Sequence, residues 1–250
     1  MRDGDLRAGV FIGCVAAAGA ALAGWSVLQV AQEGAGPRLL AWAAVAALTV
    51  LVGSLSVRIP VRDCRVSFSD AFLFMSIVVF GPALATLTGM IDGLAASSRR
   101  RGTWFKRLFN AGSMAISTHV AARLFEWAVP DGGLWHGSSF APIDYLVPLL
   151  LVAGAQYLVN TGLVAGVLAL KDGVSFQEVF QASAPWAGTA YVLGVVSVGL
   201  AVLAARQVGL VTFVALLPFP AIVYFTYKSR LGKPLSERKG GRRSRTANTV

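Results

Sequence analysis

Eight long apolar segments, separated by short stretches rich in charge, proline or glycine, constrain this sequence more than any other feature. They are residues 8–30, 39–57, 66–80, 82–98, 105–128, 144–170, 186–205 and 208–227. A helix needs about 20 apolar residues to cross the ~30 Å hydrocarbon core of a bilayer, and tilting accommodates some variation in that length. We therefore expect an all-α, polytopic transmembrane helical bundle with about eight spans.

The composition of the chain also indicates a membrane protein. Hydrophobic residues make up 56% of the chain and charged residues only 14%, so a water-soluble globule would lack the polar surface needed to cover itself. The net charge of +10 on its own would also suit a nucleic-acid-binding protein. Membrane proteins, however, concentrate Lys and Arg in cytoplasmic loops, so the charge has to be interpreted by position. We expect the lipid bilayer, and no nucleic acid, as the partner.

The positions of the basic residues predict the orientation of the spans. If the N-terminus is cytoplasmic, nineteen of the 22 Lys and Arg residues fall on the cytoplasmic side; Arg38 and Arg206 fall outside, and Arg123 lies within a span. The positive-inside rule predicts this asymmetry for an even number of spans with both termini inside. We expect a multi-pass protein of a bacterial inner (cytoplasmic) membrane, with the N and C termini in the cytoplasm.

The C-terminal stretch differs from the rest of the chain. Residues 229–250 are basic and lack apolar periodicity, whereas residues 1–228 contain all eight apolar segments. A basic segment of this kind cannot bury enough apolar surface to fold. We expect a transmembrane bundle over residues 1–228 and a disordered cytoplasmic tail over residues 229–250. The tail either binds anionic lipid through its charge or only fixes the topology.

The third and fourth apolar segments are short and are joined by Gly81 and Pro82. A Gly-Pro pair inside an apolar stretch favours a tight turn, with Pro at the first position of the returning helix. Asp70 lies eleven residues before Gly81, and Asp92 lies ten residues after Pro82. At about 1.5 Å per residue, both carboxylates lie about 15 Å from the turn. We therefore predict that they are neighbours across a short helical hairpin, toward its cytoplasmic end.

These two carboxylates belong to a predicted polar cluster. A carboxylate at membrane depth costs at least about 2.5 kcal/mol, so it should have a partner. One interpretation is a binding site, or a switch in which the two carboxylates share a proton. The other is structural, with Asp70 capping its helix and Asp92 pairing with Arg99 or Arg107. The candidate ligand-binding or switch residues are Ser67, Ser69, Asp70, Asp92, Asn110, Gln156 and Asn160.

Other polar and small residues in the spans favour packing. Gln156 and Asn160 could line a ligand cavity or hydrogen-bond to adjoining helices. We interpret Arg123 and Glu126 as a local ion pair on the same helical face as His119. Small residues that permit close helix approach recur in the first and sixth segments, at Ala16, Ala20, Gly24, Gly154, Gly162 and Gly166.

Motifs for catalysis or metal binding are missing from the sequence. Neither His119 nor His136 has a carboxylate or cysteine at ligand spacing. There is no Ser-His-Asp order, nucleotide-binding loop or HExxH helix. We therefore expect no catalytic residue, no metal and no cofactor, and hence no enzyme.

The stretch from Val66 to Phe125 contains a series of short motifs: FSDAF, the FGP turn, an Asp-Gly pair at 92–93 and LFN at the start of the next helix. It resembles the MASE-type N-terminal membrane sensor regions that precede GGDEF or HD-GYP output domains in bacterial cyclic-di-GMP signalling proteins. The matching positions are Asp70, Gly81, Pro82, Asp92 and Asn110. The same region is more weakly similar to the substrate-binding subunits of vitamin transporters.

This resemblance implies an integral membrane sensory or small-ligand-binding module. In the signalling family a catalytic domain follows the last span, whereas here only a basic tail follows Tyr227. We therefore expect a module without its own catalytic output, which binds a small molecule and acts through a separate signalling or transport partner. The alternative is a small-solute transporter or the substrate-binding subunit of one.

Overall fold

The structure, a computed structural model, describes the chain from residue 3 to residue 182 with gaps, and a few residues beyond. The described residues are 3–34, 36–54, 57–59, 64–66, 69–99, 102–129 and 146–182, together with Tyr191, Gly194, Val196, Val198 and Gly199. The elements are α1 (Asp3–Glu33), α2 (Pro37–Gly53), β1 (Val57–Ile59), β2 (Cys64–Val66), α3 (Ser69–Arg99), α4 (Trp104–Ala128), α5 (Leu146–Asp172) and α6 (residues 176–182). The predicted eighth span, most of the predicted seventh span and the tail over 229–250 lie outside the described residues.

The α3 segment is a helical hairpin. Gly81, between its two arms, has φ 75° and ψ −175°, a backbone conformation that glycine adopts without steric penalty. The Ser76 and Thr88 hydroxyl oxygens are 2.9 Å apart, although residues twelve apart on a straight helix would be separated by about 18 Å. The first arm (residues 69–80) and the second arm (residues 82–99) therefore run antiparallel, as the Gly-Pro pair predicts.

Helix α2 lies along this hairpin and is held to it by polar contacts. The Trp42 indole N–H donates to the Leu84 carbonyl at 3.0 Å and to Thr88 Oγ1 at 2.9 Å. Arg38 donates to the Phe80 carbonyl at 2.7 Å, which satisfies a backbone oxygen freed by the turn. Arg99 donates to the Val50 carbonyl at 2.8 Å. Helix α2 is therefore parallel to the second arm.

These contacts define two ends of the bundle. We call the end with Gly81 and Arg38 the turn end, and the end with Gly53 and Asp92 the carboxylate end. Helix α4 runs antiparallel to the second arm, because Thr86 bonds to His119 while Gly93 faces the backbone of Asn110. Helix α4 therefore starts at the carboxylate end.

Helices α1 and α5 complete the described bundle. Gly19 and Gly112 are in backbone contact where α1 crosses α4. Phe11 of α1 packs on Phe109, with ring centroids 6.5 Å apart. Gly4 lies against the last turn of α5. Helix α1 therefore begins, and α5 ends, at the carboxylate end.

The described helices have the length and surface of membrane spans. Three segments, Gly4–Glu33, Ser69–Arg99 and Val147–Asp172, are long and apolar enough to cross a bilayer. The second of them bends back at Gly81, so its arms are only about 18 and 27 Å long. Large apolar side chains face outward, including Trp25, Leu40 and Leu158. A lipid environment explains this exposure, because apolar groups are not driven inward there.

The described chain also contains a short β-hairpin, formed by β1 and β2, and the short helix α6. Helix α2 ends at Gly53, earlier than the predicted end at residue 57, and an antiparallel hairpin with Val57 opposite Val66 follows. The charged residues between 58 and 65 interrupt the apolar run there, and the strands are a local exception to the expected all-α fold. The short helix α6 follows α5 after the turn at Gly173.

Candidate functional site

The carboxylate of Asp92 lies between the two arms of the hairpin, on the face toward α2. The residue is 6% exposed. Its Oδ2 accepts a hydrogen bond from Ser69 Oγ on the other arm at 3.3 Å. Its Oδ1 has no hydrogen-bond partner in the described part of the chain. A buried oxygen in this state is costly, because its interaction with water has not been replaced.

Helix α2 closes one side of this carboxylate through Gly53. A Cβ placed on Gly53 would lie 3.2 Å from Asp92 Oδ1 and 2.8 Å from an Arg99 nitrogen. The backbone of α2 can approach the carboxylate only because residue 53 has no side chain. Arg99 supplies an attractive positive charge, but its side chain is exposed and its other nitrogen is bonded to Val50.

Asp70 lies beside Asp92, as the depth calculation predicts. The two negative charges are close enough to interact. Asp70 is partly buried, and its Cβ lies near Gly194 together with the ring of Phe74. Two carboxylates facing one site repel each other in a medium of low dielectric constant. Their proximity raises the free energy of the folded state unless a proton or a cation is shared between them.

Tyr191 forms the third side of the site, and sequence reasoning did not identify it. Its hydroxyl accepts a hydrogen bond from Asn160 Nδ2 at 3.0 Å, and its ring lies 6.1 Å from the ring of Phe74. Both aspartates interact electrostatically with the Tyr191 hydroxyl. Asn160 Oδ1 accepts from Ser113 Oγ at 2.8 Å, so α5 links Tyr191 to α4. A single tyrosine within an apolar segment carries no sequence pattern that would indicate a place in this site.

The remaining candidates are divided between this site and other places. Gln156 is fully buried and donates to Thr118 Oγ1 at 3.3 Å, and its Oε1 has no hydrogen-bond partner among the described residues. Asn110 lies at the level of Gly93, which its backbone carbonyl contacts closely. Ser67 lies outside the described residues. The site therefore combines Ser69, Asp70, Asp92 and Asn160 with the unforeseen Tyr191.

The predicted ion pair on the fifth apolar segment is present. Arg123 donates to Glu126 at 2.7 Å, and both side chains are about half exposed. His119 turns instead toward the hairpin, where its Nδ1 lies 3.0 Å from Thr86 Oγ1. Among the described residues, no group of three or more His, Cys, Asp or Glu side chains could hold a metal ion.

Comparison of the chain with known proteins finds no match. No family model, no curated protein and no solved structure matches the chain. Functional proposals for this protein therefore rest on its own residues and on their geometry.

Proposed function

We propose that this protein is a non-enzymatic, membrane-embedded sensory module that binds a small ligand between the arms of its hairpin. Asp70, Asp92 and Ser69 contact the ligand, and Tyr191 and Asn160 form the opposite wall of the binding site. The resemblance of the hairpin region to MASE-type sensor regions supports a sensory role. Signal transfer to a separate partner protein belongs to the same proposal.

The observation that carries the proposal is the buried, unpartnered Oδ1 of Asp92 next to a second carboxylate. If Asp92 served only the fold, an amide of the same shape would remove the buried charge at no steric cost. A feature that opposes folding and is placed among rigid hydrogen-bonded neighbours is typical of a binding site. The exposed Arg99 offsets only part of this cost, because solvent screens its charge.

The stability of isosteric variants tests this proposal without knowledge of the ligand. At pH 8, Asp92→Asn and Asp70→Asn each remove a negative charge from the pair, and we expect the free energy of unfolding to rise by about 1 kcal/mol. For a chain of this size, the midpoint of thermal unfolding then rises by about 2–4 °C. Purified full-length protein in detergent, followed by circular dichroism, provides the measurement.

A matched control separates this effect from general changes at the site. Ser113→Ala removes the hydrogen bond to Asn160 and leaves the carboxylates intact, so stability falls by about 1 kcal/mol. If both Asp→Asn variants are also less stable than the parent, the carboxylates hold the fold together, and the ligand-binding proposal fails.

A small-solute transporter is the second candidate function. The observation that favours it is the helix broken at Gly81 and Pro82, since discontinuous helices form the substrate sites of many secondary transporters. Uptake into sealed proteoliposomes distinguishes the two functions. A sensor binds its ligand without flux, whereas a transporter shows flux that Asp92→Asn removes.

We propose the following placement in the membrane. About eight spans cross a bacterial cytoplasmic membrane, and the carboxylate end faces the cytoplasm. The described basic residues support this orientation. Five of them, Arg7, Arg99, Lys106, Arg107 and Lys171, lie near the carboxylate end, whereas Arg38 and Arg123 lie toward the turn end. The basic tail, residues 229–250, contributes further attraction to anionic lipid.

A further inference from the structure

The hydrogen-bonding capacity left over on the buried Asp92 carboxylate is that of an acceptor. The Ser69 hydroxyl donates to Asp92, and the Asn160 amide donates to Tyr191. The Ser113 hydroxyl is likewise directed to Asn160. Asp92 Oδ1, in contrast, is buried and accepts nothing among the described residues. The missing partner is therefore a hydrogen-bond donor.

The charges of the described residues at the site do not balance, and the excess is negative. Asp70 and Asp92 together carry two negative charges when ionised. Among the described residues, Arg99 is the cation that interacts with Asp92, and it is bonded to the Val50 carbonyl. Counting only the described residues, this group has one negative charge more than it has positive charges. Because Coulomb interactions are strong at low dielectric constant, a single cation between the carboxylates would relieve their repulsion.

Aromatic rings border the same carboxylates. Phe74 lies one helical turn after Asp70, and the two side chains meet at Gly194. The ring of Tyr191 lies 6.1 Å from that of Phe74 and 6.0 Å from that of Tyr157. Aromatic faces attract cations and also pack against alkyl groups. A carboxylate beside aromatic rings suits an organic cation better than a bare metal ion.

From these three observations we propose that the carboxylate end binds a small organic ammonium ion. One N–H of the ammonium group donates to Asp92 Oδ1, its charge lies between Asp92 and Asp70, and its alkyl part packs toward Phe74 and Tyr191. This inference rests on the proposed ligand-binding function and specifies the chemical class of the ligand.

Equilibrium dialysis of the full-length protein in nanodiscs against radiolabelled methylammonium tests the inference. We expect one methylammonium bound per chain, displaced by unlabelled ethylammonium. Tetramethylammonium, which has the charge but no N–H donor, should compete at least about tenfold more weakly, because a charge-assisted hydrogen bond is lost. Sodium chloride at equal ionic strength should leave binding unchanged.

Substitutions then locate the bound ion. Asp92→Asn and Asp70→Asn should each weaken methylammonium binding by about tenfold or more. The control is Glu126→Gln, which removes a carboxylate that is half exposed and paired with Arg123 outside the site; its binding should equal that of the parent. Dialysis of the parent protein alone already decides whether a site exists, even if a variant does not fold.

Three results would overturn the inference. They are the absence of saturable binding to the parent, equal competition by sodium, and equal weakening of binding by Glu126→Gln. If methylammonium does not bind while the Asp→Asn variants are still more stable than the parent, only the proposed ligand class is wrong. If those variants are less stable, the proposed function fails as well.

Discussion

The backbone contact between Gly19 and Gly112 allows a quantitative test of the packing of α1 on α4. A Cβ on Gly19 would lie 2.3 Å from the Gly112 Cα, whereas a Cβ on Gly24, in the same helix, would meet no described atom within 4 Å. Carbon atoms in contact prefer a separation of about 3.5 Å or more. Gly19→Ala therefore requires the two helices to separate by about 1 Å.

The expected magnitude follows from two opposing terms. Overpacking of this kind costs about 1–3 kcal/mol, while Ala gains about 1 kcal/mol over Gly in a helix interior. Gly24→Ala has only the second term, so it should be neutral or stabilising. We expect the two variants to differ by about 2 kcal/mol in the free energy of unfolding, or about 4–8 °C in the unfolding midpoint.

Circular dichroism of the full-length variants during heating measures this difference. The double variant Gly19→Ala, Gly112→Ala provides a second check. Both substitutions widen the same interface, so its loss of stability should be smaller than the sum of the two single losses. Equal midpoints for Gly19→Ala and Gly24→Ala would show that α1 does not touch α4 at this place.

Two further predictions concern the hairpin and the orientation. Gly81→Ala places a side chain at φ 75° and should lower the free energy of unfolding by about 1–2 kcal/mol in a denaturant titration; unchanged stability would mean that the turn is not formed this way. In a background without the native cysteines, Ser98→Cys should react with an impermeant maleimide only from the cytoplasmic side and Glu33→Cys only from outside. The reverse pattern would reject the proposed orientation.

The hairpin and its pair of carboxylates could be predicted from the sequence because both depend on local chemistry. Gly81 and Pro82 interrupt an apolar run whose two halves are each too short for a full span, so a turn was the simplest solution. The helical rise then determined the depth of Asp70 and Asp92. The prediction that these two residues are neighbours across the hairpin required no knowledge of other helices.

Features that depend on the docking of distant helices were not predicted. Tyr191 reaches the site through Asn160, thirty-one residues earlier in the chain, and no local pattern specifies that contact. Of the glycines predicted to pack closely, Gly24, Gly154 and Gly162 meet no described atom within 4 Å, whereas Gly166 lies against the Phe11 ring. Among the described glycines, the closest backbone contact is instead between Gly19 and Gly112. It could not be predicted, because the rotation of each helix about its axis is set by all its neighbours together.

The unequal arms of the hairpin have an electrical consequence. The second arm continues seven residues past Asp92 to Arg99, so the carboxylates lie about 10 Å below the helix end. In the membrane placement proposed above, this is roughly a third of the way through a ~30 Å core. A cation that enters from that end crosses a similar fraction of the transmembrane voltage. Each elementary charge moved through the whole field is worth about 2.3 kcal/mol per 100 mV, so occupancy changes about fourfold per 100 mV. The proposed ammonium site would therefore respond to membrane potential as well as to concentration.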